Sequence, residues 1–204
     1  IRHKVKIDHA SKFEQRVVVS QFEYQPPASL THSESRPHIA DVYAWLAENH
    51  ERSDRIITDV IESIKQGKHP LVLSERREHA EQLNQLLMNK GFKTVILRGA
   101  MRVKERKEAN DQLAQAQVIV ATGKYIGEGF DLPRLDALFL AMPISWKGTL
   151  AQYAGRIHRE SEGKELVTIF DYVDLSLPML QRMYLKREKG YKVMGYNVSF
   201  SESR

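Results

Sequence analysis

The stretch QYAGRIHR, residues 152–159, holds the side chains whose types and spacing could carry chemistry. Arg156 and Arg159 are three residues apart and follow Gly155, within a segment, residues 149–160, that is predicted to be helical. Side chains at positions i and i+3 project from the same face of a helix. Two guanidinium groups on one face suit the oxygens of a phosphate group. The stretch therefore indicates a phosphate-handling surface, with a solvated pair of arginines as the ordinary alternative.

Short apolar runs alternate with helical patterns over most of the chain. Strands are predicted at residues 15–24, 70–73, 93–97, 117–121, 135–141 and 165–173. Helices are predicted at residues 38–49, 53–69, 74–91, 103–115, 149–160 and 177–190. Strands that are buried on both faces read as continuous apolar runs. Their alternation with helices over short connections is typical of a doubly wound, mostly parallel α/β sheet.

Two of the predicted helices carry end signals. Ser53 or Asp54 is the expected N-cap of the second helix, and Gly67 is expected at its end. Gly91 is the expected C-terminal cap of the third helix.

Polar, basic and glycine-rich segments follow the predicted strands. In open α/β sheets, ligands bind outside the carboxyl ends of the strands. Backbone N–H groups, small residues and guanidinium groups at this edge are what a phosphate-binding surface needs. The segments in question are Ser74 to Arg77, Arg98-Gly99, Thr122 to Asp131, and Pro143 to Lys147 with QYAGRIHR after it.

Several known chemistries do not fit the residues. A P-loop would need Gly where Val118 stands and Ser or Thr where Tyr125 stands. Gly127 and Gly129 make a poor dinucleotide fingerprint because Pro133 follows closely, which disfavours a nucleotide-dependent oxidoreductase. No nucleophile–base arrangement, carboxylate pair or metal-ligand spacing stands out, so we expect no metal site in this chain. By itself the chain lacks the parts for hydrolysing a nucleotide.

The composition sets broader bounds. The 204 residues fit one domain, or one domain with an appendage, and 42% hydrophobic with 28% charged residues is ordinary for a soluble globular protein. The net charge of +5 fits a polyanionic partner without demanding one. The lack of cysteine excludes disulfides and thiolate zinc sites. With no apolar run of membrane-span length and no signal peptide, we expect a cytoplasmic protein without a membrane partner.

Two further features have plain structural interpretations. Trp146 is expected to be a packing anchor rather than a base-stacking platform. A basic run near the carboxyl end is expected to be a solvated face. Its residues are Arg182, Lys186, Arg187, Lys189 and Lys192.

The motifs together resemble those of a known family. ATGKYIGEGFDLP followed by QYAGRIHR resembles motifs V and VI of superfamily 2 helicases and translocases. PLVLSERREHAEQL resembles motif IV, and LRG the short motif between IV and V. The similarity covers roughly residues 38–175. The residues of these motifs are closer to those of motors related to restriction and repair translocases than to those of DEAD-box RNA helicases. In DEAD-box RNA helicases, motif VI usually begins with His where Gln152 stands.

The resemblance implies a RecA-like fold, the fold of P-loop NTPases, without a P-loop of its own. Residues 37–204 would form the second, C-terminal RecA-like lobe of a DEAD/DEAH-type motor. Residues 1–36 would link it to a first lobe that lies outside this sequence, and the start at Ile1 rather than Met fits a fragment of a longer protein.

In this family ATP binds between two lobes, and the first lobe holds the P-loop and Mg²⁺. The resemblance implies that Arg156 and Arg159 are catalytic arginine fingers that stabilise charge on the γ-phosphate. Gly155 would leave room for close approach, and Gln152 would orient the helix or contact the phosphates. The remaining implied site residues are Gly129 and Asp131 on the nucleotide and interlobe side, Thr122 and Gly123 on the nucleic-acid backbone, and Ser74, Arg76 and Arg98 as weaker nucleic-acid contacts.

The sequence is therefore interpreted as the C-terminal lobe of an ATP-dependent helicase or translocase that acts on DNA rather than RNA. It would be inactive without the first lobe. Two alternatives stay open. One is a non-catalytic nucleic-acid-binding module, and the other is the motor part of a restriction or conflict system.

Overall fold

The computed structural model describes residues 13–31, 36–99, 101–126, 132–144 and 149–201, apart from the side chains of Lys124 and Ile126. The strands are β1 (Glu14–Phe22), β2 (Pro70–Ser74), β3 (Thr94–Leu97), β4 (Val118–Thr122), β5 (Ala137–Leu140), β6 (Leu166–Asp174) and β7 (Asn197–Phe200). The helices are α1 (Ala28–Thr31), α2 (Ile39–Glu48), α3 (His50–Lys65), α4 (Arg77–Asn89), α5 (Val103–Gln112), α6 (Gly123–Ile126), α7 (Thr149–Ile157) and α8 (Pro178–Val193), and a 3-10 turn spans Leu113–Gln115.

The seven strands form one sheet in the order β3-β4-β2-β5-β6-β1-β7. Every neighbouring pair among these described strands is parallel. The predicted doubly wound parallel α/β fold is thus confirmed.

Both faces of the sheet are covered by helices, because side chains alternate between two apolar clusters along each strand. On β2, Leu71 and Leu73 belong to one cluster and Val72 to the other. Helices α3 and α4 pack on the face of Val72, and α5, α7 and α8 supply residues to the opposite face. This burial on both faces is why the central strands read as uninterrupted apolar runs.

Strand β1 lies within residues 1–36, which the sequence analysis assigned to a link from another lobe. It pairs with β6 over its whole length, from Glu14 opposite Leu166 to Phe22 opposite Asp174. On its other side it pairs with β7. These nine residues are therefore an inner strand of this sheet.

The end of α3 agrees with the sequence, but its start does not. The N-cap is Asn49, whose side-chain oxygen accepts a hydrogen bond from the backbone N–H of Arg52 at 2.9 Å. The expected caps Ser53 and Asp54 lie inside the helix. After the helix, Gly67 takes a φ of 77°, the left-handed conformation that helix C-termini favour.

The basic run on α8 is only partly solvated. Arg187 is 1% exposed, which contradicts the expectation for this residue. The physical reason is its helical position, since Tyr184, Arg187 and Tyr191 form one buried stripe that faces the sheet. The other four residues of the run, Arg182, Lys186, Lys189 and Lys192, are exposed.

Among the described residues, no helix is both long and apolar enough to cross a membrane.

Candidate functional site

The carboxyl ends of β2, β3 and β4 lie side by side. Ser74, the last residue of β2, is in register with Thr122, the last residue of β4. The loop after β3 joins them, because the backbone N–H of Gly99 donates to Oγ1 of Thr122 at 3.3 Å. The structure thus brings the ends of three predicted motifs to one edge of the sheet.

Ser74 organises the loop after β2. Its side chain is buried, its Oγ lies 3.0 Å from Nδ1 of His79, and it accepts a hydrogen bond from the backbone N–H of Arg76 at 3.2 Å. Burial lowers the pKa of His79 to about 3, and the charges of Arg52 and Arg76 act in the same direction. His79 is therefore neutral near pH 7. Contact of Ser74 with a nucleic-acid strand stays a prediction and would require this loop to move.

The two basic candidates next to this loop have protein partners. Arg76 donates to the backbone carbonyl of Ala40 in α2 at 3.0 Å. Arg98 joins α4 to α5, since its Nε lies 3.1 Å from Oε1 of Glu81 and its terminal nitrogen 3.8 Å from Oε1 of Glu105. Nucleic-acid contact by either arginine stays a prediction, and it would compete with these partners.

Gly123 follows β4 directly and packs against two other segments. A Cβ at this position would overlap the hydroxyl oxygen of Tyr153 and would lie 2.5 Å from Oε1 of Glu75. The Tyr153 hydroxyl itself donates to Oε1 of Glu75 at 2.9 Å. Burial, with Glu75 acting in the same direction, raises the pKa of Tyr153, so the hydroxyl stays a donor. Only glycine fits this junction between the loop after β2, the end of β4, and α7.

We expect Gly123→Ala to destabilise the chain by about 1–3 kcal/mol, the usual cost of overpacking. Part of that cost should disappear in a Tyr153→Phe background, because the nearest obstructing atom is the Tyr153 oxygen, while Oε1 of Glu75 remains 2.5 Å from the added Cβ. Urea unfolding of the wild type, the two single variants and the double variant measures the coupling.

Gly155→Ala is the matched control for this prediction. Within the part of the chain that the structure describes, no atom outside α7 lies within 4 Å of a Cβ at Gly155, and alanine is the better helix former. Its urea midpoint should be unchanged or slightly raised. Equal losses of stability from alanine at Gly123 and at Gly155 would contradict close packing at Gly123. An absence of coupling between positions 123 and 153 would contradict it too.

Helix α7 divides into a buried and an exposed face. Gln152 and Gly155 are exposed, and Arg156, in the last turn, is partly buried. The buried face follows helical spacing. Its residues are Leu150, Tyr153, Ala154 and Ile157.

The predicted helix 149–160 is shorter in the structure, since α7 ends at Ile157. Arg159 follows in a bend, so the two arginines do not share a helix face as expected. The carbonyls of Ile157 and Arg159 both accept hydrogen bonds from the ammonium group of Lys164, at 3.2 and 2.5 Å. These bonds cap the helix where the sequence pattern alone would continue it.

Residues 141–144, which follow β5, are held by three side-chain donors that the motifs did not indicate. Arg52 donates to the carbonyl of Ala141 at 2.6 Å, Tyr43 to that of Pro143 at 2.6 Å, and Arg187 to that of Ile144 at 3.0 Å. Arg52 is fully buried, and burial lowers its pKa to about 10. These contacts fix residues 141–144, which come before α7 in the sequence. For Arg187, the helical spacing of Tyr184, Arg187 and Tyr191 was the sequence signal that could have indicated a buried position.

Gly129, Asp131 and Trp146 lie outside the described residues, so the predictions for them stay predictions. Among the residues that the structure describes, no group of three or more histidine, aspartate or glutamate side chains could hold a metal ion.

Comparison with known proteins identifies a family. The family described as helicase conserved C-terminal domain matches residues 52–161, more than half of the chain. UvrABC system protein B of Pseudothermotoga lettingae is 26% identical over 187 residues, which cover 88% of this chain and 28% of that protein. The probable helicase D10 of Escherichia phage T5 is 26% identical over 181 residues, which cover 84% of this chain and 39% of that protein. The chain therefore spans well under half the length of these relatives.

Solved structures show the same fold. The crystal structure of T4 UvsW superimposes with a TM-score of 0.70 at 17% identity, covering 91% of this chain and 41% of that chain. Dbp5 of S. cerevisiae, bound to RNA and ADP BeF3, gives a TM-score of 0.61 at 13% identity, covering 94% of this chain and 42% of that chain. The chain belongs to the helicase conserved C-terminal domain family and is a C-terminal RecA-like domain of superfamily 2 helicases, as the resemblance of its motifs predicted.

Proposed function

We propose that this chain is the second lobe of an ATP-dependent helicase or translocase and supplies arginine fingers to ATP held between two lobes. The observation that carries the proposal is the exposed face of α7. Gln152 and Gly155 lie on it, and Arg156 follows in the next position. Outside the helix itself, no atom of the described residues lies within 4 Å of a Cβ built at Gly155. A second surface carrying a triphosphate could approach this face closely.

The chemistry proposed for the two arginines is electrostatic. A guanidinium group placed at the γ-phosphate stabilises the charge of the transition state, which is worth about 10³–10⁵ in rate in related phosphoryl transfers. Mg²⁺ and the P-loop are assigned to the first lobe, because the Gly-Lys of this chain at residues 123–124 lacks the P-loop pattern. Gly129 and Asp131 are proposed to meet the nucleotide and the first lobe. Alone, this chain should not turn over ATP.

Nucleic acid is the proposed substrate of the motor. The net charge of +5 favours a polyanion. Thr122 is the last residue of β4, and Gly123 follows it. Both lie at the edge of the sheet where Ser74, Arg76 and Arg98 also lie. We propose DNA rather than RNA because the motif around Gln152 resembles that of restriction and repair translocases more than that of DEAD-box RNA helicases.

Steady-state ATP hydrolysis tests the proposal, using the longer chain that carries this lobe together with a P-loop lobe, here called the two-lobe protein. Turnover should rise with added single- or double-stranded DNA and rise less with RNA of the same length. The isolated 204-residue chain should show background turnover only. Turnover by the isolated chain, or no response of the two-lobe protein to any nucleic acid, would overturn the proposal. A two-lobe protein that binds nucleic acid but shows no turnover would favour a non-catalytic nucleic-acid-binding module.

A further inference from the structure

The side chain of Lys164 joins two segments that are distant in sequence. Its ammonium group donates to the backbone carbonyls of Pro133 and Leu135, before β5, the latter at 2.8 Å. It also donates to the carbonyls of Ile157 and Arg159, at 3.2 and 2.5 Å. Four carbonyls thus surround a group that has three hydrogens, so the hydrogen bonds are shared among them.

The carbonyl of Ile157 is the last one of α7, and the carbonyl of Arg159 lies just beyond the helix. The last carbonyls of a helix lack partners within the helix, and a cation there also offsets the negative end of the helix dipole. The carbonyls before β5 add further negative potential on the opposite side of the ammonium group. Lys164 therefore fastens the end of α7 to the chain that enters the sheet at Ala137.

The site is partly shielded from water. Burial lowers the pKa of Lys164, and the carboxylate of Asp136 acts in the opposite direction. The ring of Phe13 lies 5.7 Å from the ammonium nitrogen. An ammonium group in such a place exchanges water for fixed carbonyl dipoles, so its position is well defined.

Arg159 depends on this contact more than Arg156 does. Arg156 lies within α7, whose backbone is fixed by helical hydrogen bonds and by the buried side chains beside it. Arg159 lies beyond the helix, where its own carbonyl is bound by Lys164. The neighbouring His158 adds one more anchor, with its Nε2 2.5 Å from the hydroxyl of Tyr196.

We propose that Lys164 is a positioning residue that sets the backbone from which Arg159 reaches the nucleotide. The proposal rests on the proposed function, in which Arg159 is a finger. Lys164 does not touch the nucleotide. It keeps the residue after α7 in one place, and misplacement of a catalytic group by about 1 Å can cost roughly 10²-fold in rate.

The test uses Lys164→Met and Lys164→Arg in the two-lobe protein. We expect Lys164→Met to lower kcat for ATP hydrolysis by about 10- to 100-fold while KM for ATP changes by less than about threefold. Lys164→Arg keeps the charge and the donors and should recover part of the loss. Lys189→Met, on the exposed face of α8, is the matched control and should leave kcat unchanged.

A double-mutant cycle separates positioning from a general structural role. In an Arg159→Lys background, where some turnover should remain, Lys164→Met should cost less than it does in the wild type, because the group it positions is already impaired. In an Arg156→Lys background, Lys164→Met should lower turnover by the same factor as in the wild type. Thermal unfolding of each variant confirms that the assays are run on folded protein.

The outcomes distinguish this inference from the proposed function. If Arg159→Ala leaves turnover intact, the finger role of Arg159 is wrong, whatever Lys164 does. If Arg159→Ala abolishes turnover but Lys164→Met matches the wild type, the positioning role is overturned alone. Equal costs of Lys164→Met in both arginine backgrounds would also overturn it.

Discussion

Arg156→Ala or Arg159→Ala is expected to lower kcat for ATP hydrolysis by the two-lobe protein by about 10³-fold or more. The reason is that a finger acts on charge that develops only in the transition state. Binding of ATP in the ground state should change much less, so Kd for ATP should stay within a few-fold of the wild type. Turnover at saturating DNA and equilibrium binding of a fluorescent ATP analogue measure the two quantities separately.

The matched control for the finger variants is Arg182→Ala. Arg182 is an exposed arginine on α8, a helix that the finger proposal does not use. Its loss changes the net charge by the same amount without touching α7, so turnover should stay near the wild-type value. A finger variant that keeps turnover within about tenfold, or that loses ATP binding in proportion to turnover, would contradict the finger role.

The two arginines should also differ from each other in a measurable way. Arg156 projects from a helix, and Arg159 from the bend that follows it. Removal of the Lys164 ammonium group, which binds the bend at Arg159, should therefore lower kcat in the same way as partial loss of Arg159, and not as loss of Arg156. This difference follows from the observed end of α7 and could not follow from the spacing of the two arginines in the sequence.

The sheet was predictable from sequence where burial dominates. PLVLS in β2 and VIVAT in β4 are buried at every position, so their mostly apolar residues were enough to predict two strands. β7 was missed because NVSF is largely exposed and is held by pairing with β1, a partner 181 residues away at the register of Val19 and Phe200. Such pairing leaves no local signal. For the same reason the sequence could not show that β1 is an inner strand.

The site was predictable in its residue types and less so in its contacts. The motifs named Gly123, but its neighbours Glu75 and Tyr153 come from other motifs, and only the folded chain brings the three together. Ser74 and Arg98 looked like surface contacts because polar residues follow strands. The structure shows that both also hold neighbouring loops and helices, a role that a sequence motif does not distinguish from ligand binding.

The second large effect is expected at the buried ion pair of α8. Arg187 and Asp171 are each 1% exposed, and they meet in two hydrogen bonds of 2.8 and 2.9 Å. The hydroxyl of Tyr191 donates to the same carboxylate at 2.7 Å. Burial by itself would lower the pKa of Arg187, but Asp171 and Tyr191 raise it above its ordinary value. Arg187 is therefore charged in the folded chain.

Arg187→Met should destabilise the 204-residue chain by about 3–5 kcal/mol, because it leaves the carboxylate of Asp171 buried without its counter-charge. The double variant Arg187→Met with Asp171→Leu should recover much of this loss, since apolar side chains of similar volume often replace a buried pair at little cost. Urea unfolding measures both. Arg77→Met, which breaks the exposed pair of Arg77 with Glu81, is the control and should leave the urea midpoint unchanged.

The recovery in the double variant should be incomplete, because the buried hydroxyl of Tyr191 loses its acceptor and the third contact of Arg187 is lost as well. Its guanidinium group also donates to the carbonyl of Ile144, and no apolar replacement can satisfy that carbonyl. An unsatisfied buried carbonyl costs about 1–3 kcal/mol. The deficit should appear locally, as faster amide hydrogen exchange in α7, which follows this segment, than in α4, on the other face of the sheet. A double variant as stable as the wild type, with unchanged exchange in α7, would mean that the bond to Ile144 does not help to fix the helix that carries Arg156.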